Sequence, residues 1–170
     1  MEYALKSIAP ESIAEAIAKV ELYRYLNEPE EAESICRDIL AIEPDHQLAL
    51  RLLGLTITDQ FTGGPGDRAG EAEICFQSLS DSYERLYYTG LVRERWAKAQ
   101  LNAGRPPHTV VPLFETALRS FAAAEEIRPT GNDDAILRWN RVVRLLESRL
   151  GSDWQGPEVE AFEVADSPPV

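Results

Sequence analysis

Cysteine and histidine are scarce here, two of each, and methionine occurs once. Cys36 and Cys75 form no Cys-x-x-Cys pair and have no histidine beside them, so a metal site is not supported and reduced core thiols are expected. His46 and His108 each fall between helices near a proline, without the spacing of a metal pair, and read as surface polar residues. Long apolar runs are missing too, and none approaches the length that spans a bilayer. The opening residues Met1 to Lys6 lack the basic-then-apolar order of a secretory leader, so the expected location is the cytoplasm and no membrane partner is expected. Basic charge is short: 17 Lys and Arg face 29 Asp and Glu, a formal −12, which argues against nucleic acid as a main partner. No Gly-x-Ser-x-Gly, His-Glu-x-x-His or phosphate-loop motif occurs. The sequence therefore predicts no catalytic residue, no metal and no cofactor.

What is present is helical grammar. Hydrophobic residues make up 44% of 170 residues, ordinary for one folded domain with its own core. In the stretch 116–129, Ala117, Phe121 and Ala124 lie on one stripe at spacings of four and three, and Pro129 stops the helix. Ala32, Cys36, Ile39 and Pro44 repeat the pattern, with twelve residues from first alanine to proline both times. Ala72, Phe76 and Leu79 repeat its first three marks. Recurrence of this kind is the signature of a helical repeat array.

Taken in order, Pro10 opens a helix that carries Ile13, Ile17, Val20 and Leu22 to Leu26. Asn27-Glu28-Pro29 is a tight turn into a second helix over 30–42, and Pro44-Asp45 separates it from a third over 46–60. The glycine-rich run Thr62 to Gly70 lacks the Lys-Ser/Thr of a phosphate cradle and reads as a flexible helix connection. Beyond Gly90 a helix continues to Ala103, and its partner is expected from about Thr109, with Val110-Val111-Pro112 as first turn. As antiparallel neighbours the two lie side by side, so Ala97 and Leu101 are expected to face Val110, Leu113 and Phe114. A last helix over 132–149 presents Ile136, Trp139, Val142, Val143 and Leu146, and Gly151 ends it. The organisation is a helical domain over 1–150 and an acidic, extended or disordered tail over 151–170.

Leu53-Gly54 in a first helix, with Ala117, Phe121, Ala124 and Pro129 in a second, resembles the tetratricopeptide repeat. The units would be Ile13–His46, Gln47 to about Ser80, and about Ser82–Gly131, with 132–149 as a closing helix. The first unit departs from the pattern, with Ala16 and Lys19-Val20 where the family carries an aromatic residue and Leu-Gly. The resemblance implies an all-α fold, a right-handed α-solenoid of antiparallel helix pairs. It also implies a non-catalytic adaptor that takes a protein or extended peptide in a groove lined by first helices.

Groove-facing places under that register are Ile17, Glu21 and Arg24, then Arg51, Leu55 and Thr58, then Glu84, Tyr87, Leu91, Glu94 and Arg95, and finally Asn140 and Arg144. The family's carboxylate clamp needs Lys and Asn where Ile17 and Glu21 stand, so that ligand type is disfavoured. Arg51, Arg95 and Arg144 suit carboxylates or backbone carbonyls, while Leu55, Tyr87 and Leu91 suit an apolar anchor. Tyr87 and Leu91, four apart, fit a core stripe equally well, and Arg138, Arg141 and Arg144 also read as a solvated face. The alternative class is an assembly subunit whose solenoid edges form oligomer interfaces. The tail holds Asp153, Glu158, Glu160, Glu163 and Asp166 without any Lys or Arg, with Trp154 and Phe162 as apolar anchors. Such a segment suits docking on its own helical body or on a second copy.

Overall fold

Prolines and short caps cut the chain into helices of unequal length. The computed structural model describes residues 3–151, and every regular element among them is helical. A single 3-10 turn, Pro10–Ser12, leads into α1 (Ile13–Tyr25), followed by α2 (Pro29–Ile42), α3 (Gln47–Asp59) and α4 (Ala69–Gln77). Then come α5 (Ser82–Asn102), α6 (Pro107–Glu126) and α7 (Asp134–Leu150). Asn27 ends α1 with φ 61, the left-handed conformation that asparagine tolerates, and Pro29 starts α2 where no amide is needed. The Nδ1 of His46 accepts from Ala49 N at 3.2 Å and so caps the start of α3. Asp81 caps α5 in the same way, accepting from Glu84 N at 3.0 Å.

Each helix packs on the next, and α1 also touches α3, as α3 touches α5. The core follows the predicted stripes. Ala32, Cys36, Ile39, Ala72, Phe76, Ala117, Phe121 and Ala124 have no more than 1% of their surface exposed, and Leu79 only 2%. Burial pushes the Cys36 thiol up to about 12 and the Cys75 thiol up to about 11, so both are unreactive core groups near neutral pH.

Two contacts recur. A Cβ added to Gly54 would come within 2.5 Å of the Phe76 ring, and one on Gly90 within 2.6 Å of Phe121. Glycine lets α3 press against α4, and α5 against α6, with the ring lying on bare backbone. In the first pair, the register of the sequence puts Val20 and Cys36 in those two places, and neither has exposed surface. The larger first-helix side chain goes with the smaller second-helix one, an exchange that conserves volume.

The long third pair is as expected in one helix and differs in the other. α5 runs unbroken to Asn102, and Ala97 and Leu101 share a cluster with Val110, Leu113 and Phe114. α6 begins at Pro107, two residues earlier than expected, so Pro112 stands inside the helix rather than in its first turn. The Pro106-Pro107 pair supplies the start signal that Pro112 was read to give.

The glycine-rich run connects α3 to α4, as expected, and does so as a hydrogen-bonded turn. Asp67 accepts from Thr62 N and Gly63 N, both at 2.7 Å. Gly63, with φ +81, lies so close to α5 that a Cβ would collide with the Ala99 carbonyl. Arg68 then clamps Glu33 of α2 with two hydrogen bonds of 2.7 and 2.6 Å, joined by Gln60 at 2.6 Å and Arg37 at 2.6 Å. The hydrogen bonds from Arg68, with those of Gln60 and Arg37, outweigh burial and hold the Glu33 carboxyl down at about 2.

Candidate functional site

The odd-numbered helices share one face, and ion pairs cross it from helix to helix. Asp59 of α3 accepts from Arg24 of α1 at 2.7 Å and pairs with Arg95 of α5. Arg95 also donates to the Thr58 hydroxyl at 2.8 Å. Nearer the start of α5, Glu84 accepts from Arg51 of α3 at 2.6 Å. Glu94 of α5 pairs with Lys98 of the same helix and, at 3.6 Å, with Arg138 of α7. Apart from Glu94 with Lys98, which lie within α5, each of these ion pairs joins two different helices.

The expected groove residues therefore divide. Arg51 and Arg95 lie on the face but are engaged with Glu84 and with Asp59. Leu55 is half-buried against the first core cluster. Leu91, 2% exposed, and Glu94, 0% exposed, are interior groups, so neither presents its side chain to a ligand. Tyr87 is half-buried among aromatic rings, stacked on Tyr83 at 5.9 Å and edge-on to Tyr88 at 5.0 Å, with its hydroxyl accepting from Arg138 at 3.4 Å. Ile17 and Thr58 are buried as well, whereas Glu21 and Arg144 are exposed and Asn140 is half-exposed. The Trp154 and Phe162 anchors lie outside the described residues.

Two adjoining depressions mark the far end of this face. One, of about 270 Å³, is lined by Thr58, Asp59, Phe61, Arg95, Lys98 and Asn102. Its neighbour, of about 180 Å³, lies between α5 and α7 and is lined by Lys98, Leu101, Asn102, Arg141, Leu145 and Arg149. The second sets Arg141 and Arg149, with Lys98 that is already paired with Glu94, beside two leucines, a chemistry that suits a carboxylate beside an apolar side chain. Sequence reasoning passed over Lys98 and Asn102. Charge distribution is the signal that would have found them: residues 91–150 hold ten Lys and Arg against seven Asp and Glu, while residues 1–90 hold seven against seventeen.

Among the described residues, no group of three His, Cys, Asp or Glu could hold a metal ion, and no helix is long and apolar enough to cross a membrane. Comparison with family models, with curated proteins and with solved structures returned no match.

Proposed function

We propose that the chain is a non-catalytic adaptor of tetratricopeptide-like helix pairs, an α-solenoid that binds a protein or extended peptide segment on its odd-helix face. The observation that carries this reading is the ladder of ion pairs, Arg24 to Asp59 to Arg95 and Arg138 to Glu94, which crosses from α1 to α3 to α5 to α7. Side-by-side first helices give an extended surface rather than an enclosed cavity, and extended surfaces suit linear ligands. The recurrent Gly54–Phe76 and Gly90–Phe121 contacts support a repeat origin for the pairs. With Leu91 and Glu94 interior, the ligand-contacting set shifts to Lys98, Asn102, Asn140, Arg141, Arg144 and Arg149. Those cations favour an acidic ligand segment, and the overall acidity disfavours nucleic acid.

A photo-crosslinker placed at Asn140 or Arg144 should trap a protein partner, while one at Glu30 on α2 should not. Trapping at Glu30 alone would move the binding surface to the even helices and end the proposal.

A specific observation favours a second reading, assembly through a solenoid edge. Leu22, Tyr25 and Leu26 at the end of α1 are 52%, 87% and 52% exposed, an apolar patch on the terminal helix. Sedimentation of the full chain over a range of concentrations checks it. A mass that rises with concentration and falls back in a Leu22→Ser, Tyr25→Ser double variant would favour assembly, and a constant monomer mass would exclude it.

A further inference from the structure

We propose that the acidic C-terminal segment, residues 152–170, is the ligand of the cleft between α5 and α7 in its own molecule. This rests on the reading of the odd-helix face as a segment-binding surface and names its first occupant.

Charge complementarity is the first argument. The cleft gathers Lys98, Arg141 and Arg149 around Leu101 and Leu145. Among the described residues neither Arg141 nor Arg149 has an ion-pair partner, although the chain as a whole is strongly acidic. The segment offers five carboxylates, no cation, and the apolar side chains of Trp154 and Phe162. Opposite charges supply attraction and register, while Leu101 and Leu145 offer the apolar floor that an aromatic ring needs.

Chain geometry is the second. α7 ends at Leu150, and Gly151, with φ 73, breaks the helix two residues after Arg149. From Arg149 back to Arg141 is about 12 Å along the helix, at about 1.5 Å per residue. An extended strand covers that distance in about four residues at roughly 3.3 Å each. The segment is long enough to turn at Gly151 and retrace α7 along the whole cleft. Tethering holds its local concentration near about 1 mM, which favours the same molecule over a second copy in dilute solution. An external acidic ligand must then displace the segment, so docking sets a threshold for binding.

The test uses the full chain with a nitroxide on Ala161→Cys. Cys36 and Cys75 are buried, so the introduced thiol is the one labelled. At low salt the label should quench the amide signals of residues 98–102 and 141–149. Quenching should weaken in about 1 M salt, where the screening length is about 3 Å. It should be lost in an Arg141→Glu, Arg149→Glu double variant whose helix content is unchanged. Should that variant unfold, Asp153→Asn with Glu158→Gln and Glu160→Gln should abolish quenching from the other side. No quenching in the labelled chain overturns the proposal. So does quenching seen only between labelled and isotope-marked copies in a mixture, which places the segment on a second molecule.

A glutamate-rich peptide carrying one tryptophan separates this failure from failure of the surface itself. If the peptide shifts the 98–102 and 141–149 signals while the tail leaves them unquenched, the surface reading stands and the tail proposal falls. If neither acts on those signals, both fall.

Discussion

The pairs α3–α4 and α5–α6 use the same contact and differ in everything beyond it. In each, a first-helix glycine lies under a second-helix phenylalanine so closely that an added Cβ would come within 2.5 Å of the Phe76 ring at Gly54 and 2.6 Å of the Phe121 ring at Gly90. Yet α3 and α4 have 13 and 9 residues, while α5 and α6 have 21 and 20. The long pair fills its extra turns with Ala97, Val110, Phe114 and Leu101, an apolar continuation of the core. The short pair closes with a turn pinned by Asp67 and with the Arg68–Glu33 clamp, a polar ending. Gly63 rests that turn on α5 beside Ala99. The interlock thus sets where two helices meet, and helix length is set by what chemistry closes the space past it.

The comparison breaks most easily at the rings. We expect Phe121→Ala and Phe76→Ala each to destabilise by about 3–5 kcal/mol, because a fully buried ring is removed and neighbouring backbone cannot collapse far. Adding a methyl from the other side, Gly90→Ala or Gly54→Ala, should cost about 1–3 kcal/mol through overpacking. Combining Gly90→Ala with Phe121→Leu should recover part of that loss, a coupling readable in urea denaturation. Equal stability of Gly90→Ala and the wild type would show that the shared contact is not tight.

The polar ending of the short pair should be sensitive to acid where the apolar ending is not. Glu33 has its pKa lowered from 4.5 to about 2 in the folded chain. A depressed folded value means that its contribution is fully present above about pH 4.5 and is lost as pH falls toward about 2. The contribution is of order 2 kcal/mol after allowance for screening at the partly exposed Arg37 and Arg68. Glu33→Gln should lower the melting temperature at pH 7 and flatten its fall between pH 5 and about pH 2. An unchanged acid transition in Glu33→Gln would remove the clamp from the account of stability.

Much of this architecture is legible in the chain because its signals are local. Stripes such as Ala117, Phe121 and Ala124, proline starts at Pro10 and Pro29, and Gly151 as a stop each depend on a few neighbouring residues. The face was harder to read. α5 packs against α3, α4 and α6 at once, so burial extends nearly round the helix and takes in Glu94, which hydropathy assigns to water. One of its cations, Lys98, is four residues on and legible locally, but the other, Arg138, lies 44 residues further on, in α7. Arg51 and Arg95 looked like free cations for the same reason, since Glu84 and Asp59 reach them only through the fold. The clamp was missed likewise: Arg68 meets Glu33 across 35 residues.

The smallest expected effect falls on the ion-pair ladder and bears directly on the proposed binding face. Asp59 holds Arg24 of α1 and Arg95 of α5, and all three side chains are about a quarter exposed. Water screens such pairs, so Asp59→Asn should cost no more than about 1 kcal/mol, and less at high salt. The interlocks, not the ladder, are expected to hold the pairs together. What the substitution changes is charge: two guanidinium groups lose their shared carboxylate beside the depression that Arg95 and Lys98 line. Affinity for a glutamate-rich peptide should therefore rise in Asp59→Asn while the urea midpoint barely moves. A large loss of stability would show instead that the ladder is a structural joint between first helices. In that case the polar contacts across the face would rank with the buried rings, and the contrast between apolar and polar closure would no longer separate what folds this chain from what it presents to a ligand.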